Sequence, residues 1–145
     1  LTGWMAQAGS ASKPCLTRVI AEAGHVSALT GTDAFVLGLD RGLRTLDFDG
    51  MAGDRLVRWN VEQGKVLHRE VLGLFGLGAA AFYGGGCAWW QGEDRGLEDA
   101  RHEVGCGLRL GPTRSANSQI TRIDVAWALD GEAGPVLTAV TRGYF

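Results

Sequence analysis

FVLGLDRGLRTLDFDGMAGDRLVRWNVE, from Phe35 to Glu62, alternates at both ends and is charged in the middle. Before the middle, Phe35, Leu37 and Leu39 alternate with Val36, Gly38 and Asp40. After it, Val57, Trp59 and Val61 alternate with Arg58, Asn60 and Glu62. The second run has one apolar face and one polar face, the period of two expected of a strand with different surroundings on its two sides. Between the runs stand Arg41, Arg44, Asp47, Asp49, Asp54 and Arg55. The stretch therefore reads as strand, long hairpin loop, strand. A loop so rich in both charges is either solvated or folded onto other charges.

The same alternation recurs downstream. Phe82, Gly84 and Gly86 share one face of a run whose other face holds Ala81, Tyr83 and Cys87. Val104, Cys106, Leu108 and Leu110 oppose Gly105, Gly107 and Arg109. Thr121, Ile123, Val125, Trp127 and Leu129 oppose Arg122, Asp124, Ala126 and Ala128. Upstream, residues 16–26 fit a strand with Arg18, Ile20, Glu22 and Gly24 on one face, or a helix pairing Arg18 with Glu22. The alternation everywhere after it favours the strand. Residues 1–10 and 135–145 read as a first and a last strand, and residues 91–103 as a charged loop.

The strands number about seven. The polar face mixes charges with Gly and Ala where a solvated sheet would carry Lys, Thr and Ser. Such a face suits a lumen that must accommodate a loop, with the apolar face turned to lipid. Strands of about 9 to 11 residues span a bilayer when tilted, and barrels in membranes alternate apolar-out with polar-in. The expected fold is all-β: an antiparallel meander of about seven strands forming part of a transmembrane β-barrel. Open edges are not tolerated in lipid, so residues 1–145 read as the C-terminal portion of a larger barrel domain. A chain beginning at Leu1 likewise reads as a processed form or a piece of something longer.

Composition narrows the function. A net charge of -2 gives no electrostatic footprint for nucleic acid. Cys15, Cys87 and Cys106 have neither metal-ligand spacing nor the even count of a disulfide framework. There is no run of about 20 apolar residues for a membrane helix. Gly76, Gly78 and Ala81 fit a dinucleotide fingerprint in letters only, because Gly84, Gly85 and Gly86 would fall inside the helix it needs. Glu93, Asp94, Glu98 and Asp99 read as solvated carboxylates, and His25, His68 and His102 as surface or turn histidines. No catalytic residue, metal ligand or cofactor is expected, and the chain does not read as an enzyme.

In order along the chain, GLDRGLRTL, GDRLVRWNVE, AAAFYGGGCAW, VGCGLRLGPTRS and TRIDVAWAL resemble the C-terminal barrel of the bacterial surface-antigen superfamily. That superfamily comprises BamA- and TamA-type outer-membrane assembly factors and the two-partner secretion transporters. The resemblance covers Phe35 to Phe145. It implies a loop arginine, here Arg44, folded into the lumen against the barrel wall, where it would meet Glu62 and pack by Phe82. The chain departs from the family pattern at Thr45 and Leu46, which stand for a glycine and an aromatic residue. It departs again at Gly84, which stands for a wall aspartate, so Glu62 or Asp124 would have to serve Arg44. Arg58, Arg109 and Arg122 would face the lumen. Phe145 would be the aromatic end read by insertion machinery.

The resemblance implies a protein of the bacterial outer membrane that inserts or secretes other proteins. Its partners would be outer-membrane lipid, unfolded outer-membrane or secreted clients, and the rest of its own barrel or periplasmic domains upstream of Leu1. Two other readings compete. One is a passive structural barrel or pore, in which the lumen arginines tune ion selectivity. The other is a soluble lipocalin-like barrel, which would need an apolar lumen and a polar exterior.

Overall fold

The computed structural model describes residues 2–9, 15–26, 34–38, 42–46, 50–112, 119–131 and 134–143. The strands are β1 (Thr2–Gly9), β2 (Cys15–His25), β3 (Phe35–Leu37), β4 (Met51–Gly53), β5 (Arg55–Val71), β6 (Phe75–Trp89), β7 (Arg101–Pro112), β8 (Gln119–Ala128) and β9 (Val136–Gly143). Seven of them form one sheet in the order β1-β2-β5-β6-β7-β8-β9, each antiparallel to its neighbours. This is an all-β meander. Residues 16–26, open between strand and helix in sequence, lie mostly in β2.

The stretch from Phe35 to Glu62 departs from its expected form. Its first run does not pair with its second. β5 pairs with β2, from His25 opposite Arg55 to Cys15 opposite Lys65. β3 pairs instead with β4, Phe35 opposite Gly53 and Leu37 opposite Met51, in a separate two-stranded ribbon. The excursion between neighbouring sheet strands is therefore residues 26–54, with β3 and β4 inside it. The physical reason is local. Phe35 and Leu37 alternate because one side of the ribbon packs on the sheet: Leu37, Leu43, Leu56 and Ala88 form a buried cluster, with Phe35, Leu46 and Met51 against it. Burying each such side chain contributes about 1.5–3 kcal/mol, enough to hold a ribbon that backbone pairing of three residues would not.

Other boundaries shift as well. β5 runs on to Val71 through two register shifts, and the turn is Leu72–Leu74. Leu72 and Gly73 both have positive φ, 54° and 68°, which closes the hairpin tightly. β7 begins at Arg101, inside what reads by composition as a loop. The connections at one end of the sheet are residues 10–14, 72–74 and 113–118; at the other end they are the longer 26–54, 90–100 and 129–135.

The face on which the β3–β4 ribbon and residues 42–46 pack, the inner face, carries the buried charges. Glu103 is 0% exposed, Asp124 3% and Glu62 9%. On the opposite, outer face, Val61 and Tyr83 are each 40% exposed, Trp127 41%, Leu108 43% and Leu137 70%. The inner face thus buries charged side chains beside the apolar cluster under the ribbon, while large apolar side chains of the outer face stay exposed. The outer face also holds polar pairs that satisfy themselves: Thr17 Oγ1 donates to Gln63 Oε1 at 2.5 Å, and the hydroxyls of Thr121 and Thr141 lie 3.0 Å apart.

Candidate functional site

The inner face of β5 to β8 has a floor of small residues. In the strand register, Asn60, Gly84 and Glu103 form one row, Glu62, Phe82, Gly105 and Ala126 the next, and Ala80, Gly107 and Asp124 a third. Two of these glycines are required by what lies above them. A Cβ on Gly105 would run into the Phe82 ring and the Val125 carbonyl; one on Gly107 would run into the Asp124 carboxylate. The floor leaves a shallow bay with Phe82 at its base and carboxylates around its rim.

Arg44 fills that bay. Its guanidinium carbon sits 3.7 Å above the centroid of the Phe82 ring, a cation–π contact. Nε donates to Asp124 Oδ2 at 2.9 Å, and Nη1 donates to Glu103 Oε1 at 3.1 Å. Nη2 is 4.0 Å from Glu62 Oε2. The apolar neighbour Leu43, 1% exposed, sits in the cluster described above. One short turn thus places an apolar anchor and a charged anchor side by side.

Glu103 grips the loop backbone too. Its Oε2 accepts from the Arg44 amide at 2.6 Å, the Thr45 amide at 3.0 Å and the Thr45 hydroxyl at 3.3 Å. Backbone and guanidinium donors together satisfy both carboxylate oxygens, which compensates their complete burial.

The rest of the network is made of wall residues. Arg109 donates from Nε and Nη2 to Glu62 Oε1, both at 3.1 Å, and from Nη1 to Asp124 Oδ1. Arg122 Nη1 lies 3.8 Å from Glu62 Oε2. Arg44, Arg109 and Arg122 balance Glu62, Glu103 and Asp124 in formal charge. Further along the face, Arg58 Nε donates to Glu22 Oε2 at 2.6 Å. Among the described residues no buried side-chain polar atom lacks a hydrogen-bond partner.

The structure brings Arg44, Phe82 and Asp124 into direct contact and sets Glu62 at the edge of the group. Arg58, Arg109 and Arg122 all face inward, each beside a carboxylate. Phe145 lies outside the described residues. Sequence reasoning missed Glu103 and Glu22. Glu103 has the same parity as Gly105, Gly107 and Arg109, so extending that alternation by two residues would have placed it on the polar face. Glu22 stands directly opposite Arg58 in the β2–β5 register.

Chemically, the arrangement clasps. Every carboxylate in it is taken up by a guanidinium or a backbone amide. No protein-family model matches the chain, and no curated protein or solved structure matches it significantly, so the reading of the site rests on its own geometry.

Proposed function

We propose that this chain is part of an outer-membrane β-barrel of the kind that assembles or translocates other proteins, with the β3–β4 ribbon and residues 42–46 folded into the lumen and pinned there by Arg44. One observation carries the reading: charges buried on the inner face opposite apolar side chains exposed on the outer one. A charge network sits under a loop on the inner face while aliphatic and aromatic side chains stand exposed outside. In water that arrangement wastes apolar burial; in lipid it is the stable one. The aromatic residues add to it. Trp59, Tyr83 and Trp127 lie in adjacent rows of the outer face towards the long-loop end, with His102 between Trp59 and Tyr83: Trp59 is edge-on at 5.5 Å, and the Tyr83 hydroxyl is 2.8 Å from His102 Nδ1. Rings with a polar edge favour the membrane–water interface. Short turns at one end and long loops at the other match the periplasmic and extracellular ends of such barrels.

The assembly role rests on the clasp together with the resemblance of the motifs to assembly factors. A passive anion-selective pore would want unpaired lumen arginines, and Arg58, Arg109 and Arg122 stand beside Glu22, Glu62 and Asp124. A soluble lipocalin-like barrel would want the opposite polarity on both faces.

Fractionation of cells producing the protein is the first test. The chain is expected in the outer membrane, resistant to alkaline carbonate and released by detergent; recovery as a soluble monomer without detergent would refute the membrane reading. Arg44→Ala is then expected to slow insertion of other outer-membrane proteins while leaving membrane conductance low. Unchanged client insertion with raised conductance would favour the passive pore.

A further inference from the structure

His25 of β2, Arg55 of β5 and Trp89 of β6 stand side by side in one row of the register, on the outer face at its long-loop end. Cross-strand neighbours of this kind have Cβ atoms about 4.5–5.5 Å apart. Together with Ala23 and Val57 of the next outward-facing row, they line a notch of about 410 Å³. Trp59, one row further, lies over Gly85 of β6, where an added Cβ would run into its ring. It therefore leans away from β2 and leaves the small side chains of Ala23 and Val57 as the floor.

The notch carries positive charge that the chain itself does not neutralise. Arg44, Arg58, Arg109 and Arg122 each stand beside a carboxylate. Arg55 is half-buried, and among the described residues no carboxylate pairs with it. Acids on the adjoining turns are already engaged: Asp54 Oδ1 accepts from the Gln91 amide at 2.8 Å, and Glu93 Oε2 from the Trp90 amide at 3.3 Å. A guanidinium with its fork free, next to an imidazole, matches an oxyanion with several acceptor oxygens, phosphate above all. The indole on the other side of Arg55 offers a flat apolar face with a polar edge, on which a sugar ring can rest.

Depth decides what carries the phosphate. On the membrane reading proposed above, on which this inference rests, Trp59 marks the membrane–water interface. Arg55 lies four residues beyond it on β5, about 13 Å along the strand and about 9 Å along the membrane normal at a tilt of about 45°. The phosphate of a simple phospholipid stays at the interface, next to its acyl esters. One held that much further out belongs to a larger headgroup. We propose that the notch binds the phosphorylated saccharide headgroup of a membrane glycolipid. Arg55 and His25 take the phosphate, Trp89 takes the sugar, and the acyl chains run down the apolar outer face past Val57 and Val61.

The test is native mass spectrometry of the full-length protein, purified from the membrane in a non-ionic detergent and titrated with defined probes. A bisphosphorylated, acylated glucosamine disaccharide (lipid A) is expected to stay bound where its dephosphorylated counterpart, phosphatidylglycerol and glucosamine phosphate do not. Arg55→Gln is expected to weaken that binding by about tenfold or more, as loss of hydrogen bonds to a charged group does. Trp89→Leu is expected to weaken it while keeping the preference for the phosphorylated probe. Arg95→Ala, which removes an exposed cation of the 90–100 connection, is expected to leave it unchanged. Heat-modified gel mobility checks that each variant is folded. Equal retention of the dephosphorylated lipid, equal or tighter retention of phosphatidylglycerol, or unchanged affinity in Arg55→Gln would overturn the proposal. Equal weakening by Arg95→Ala would overturn it in favour of diffuse charge, and capture of glucosamine phosphate as tightly as the glycolipid in favour of a soluble ligand. Retention of none of the probes would overturn it outright. Carbonate extraction run in parallel separates the two failures: a chain that stays in the membrane without binding the glycolipid loses only this inference, and a chain released without detergent loses the membrane reading too.

Discussion

Glu103 stands directly opposite Gly84 in the β6–β7 register, and a Cβ built on Gly84 would meet the Glu103 Cγ at 3.7 Å. The family resembled in sequence places an aspartate where Gly84 stands. In this chain the carboxylate that holds Arg44 comes from the neighbouring strand, and its longer side chain reaches over the glycine. On the resemblance proposed above, the two positions would be equivalent, one carboxylate supplied from either strand.

Glu103→Ala is expected to destabilise the folded protein by about 3–5 kcal/mol, the range for stripping one partner from a buried ion pair. It is also expected to free residues 26–54 for proteolysis. Adding Gly84→Asp should recover part of the loss. The new side chain points into the space vacated by Glu103, and the tightest contact of its Cβ is the movable Asn60 amide at 3.0 Å. Urea unfolding in detergent micelles reads both effects. If Glu103→Ala leaves the midpoint and the protease pattern unchanged, Glu103 does not hold the loop. If Gly84→Asp makes the double variant worse, the two positions are not equivalent.

Arg44 distributes its contacts unequally, and a set of double-mutant cycles should show the order. The coupling between Arg44 and Glu103 is expected above about 1 kcal/mol, well beyond the additivity error of independent sites. Coupling between Arg44 and Glu62, at 4.0 Å, is expected to be smaller, because Glu62 is held mainly by Arg109. Arg44→Lys should behave almost like Arg44→Ala. An ammonium can stay over Phe82 but cannot reach Asp124 and Glu103 together with a planar fork. Equal coupling to Glu62 and Glu103, or full activity of the lysine variant, would mean that general positive charge rather than the fork geometry secures the loop.

Gly105 and Phe82 form a size-matched pair across β6 and β7. Gly105→Ala is expected to destabilise by about 1–3 kcal/mol, as overpacking does, since its methyl group meets the ring that supports Arg44. Phe82→Leu alone removes the cation–π contact. Combined with Gly105→Ala it should be less harmful than the sum of the two, because the smaller side chain relieves the ring's share of the clash and leaves only that with the Val125 carbonyl. Strict additivity in unfolding midpoints would show that the ring does not rest on the glycine.

Much of this site was legible in the sequence because alternation assigns a face to every residue once a strand is recognised. Phe82, Arg109, Arg122 and Asp124 fell on the polar face by parity alone, and motif order marked Arg44. What failed was context. Glu103 sits beside a run of acidic residues, and composition assigned it to the loop although the strand already begins at Arg101. Phe35 and Leu37 alternate in the ribbon as they would in a sheet strand. A period of two reports that one side is covered without saying by what. The pairing of β2 with β5 across residues 26–54 leaves no local trace, because closing a long loop adds little entropy beyond that of a shorter one.

The outer face offers the sharpest physical contrast between lipid and water. Val104 and Leu108 both point outward from β7, 39% and 43% exposed. Val104 shares its row with Tyr83 and Trp127, near the aromatic residues, and Leu108 lies beside Ala79 and Ile123, further from them. In water, arginine at either position should change stability by no more than about 0.5 kcal/mol, as for other surface substitutions. In a bilayer the cost depends on depth, about 2–4 kcal/mol at the midplane and about 0–1 near the interface. Leu108→Arg is therefore expected to be the more damaging of the two when the protein is unfolded from phospholipid vesicles, and Val104→Arg the milder. Two small and equal effects would place this face in water. A larger cost at Val104 would keep it in lipid but move the aromatic residues towards the centre of the bilayer, contrary to the interface position proposed for them.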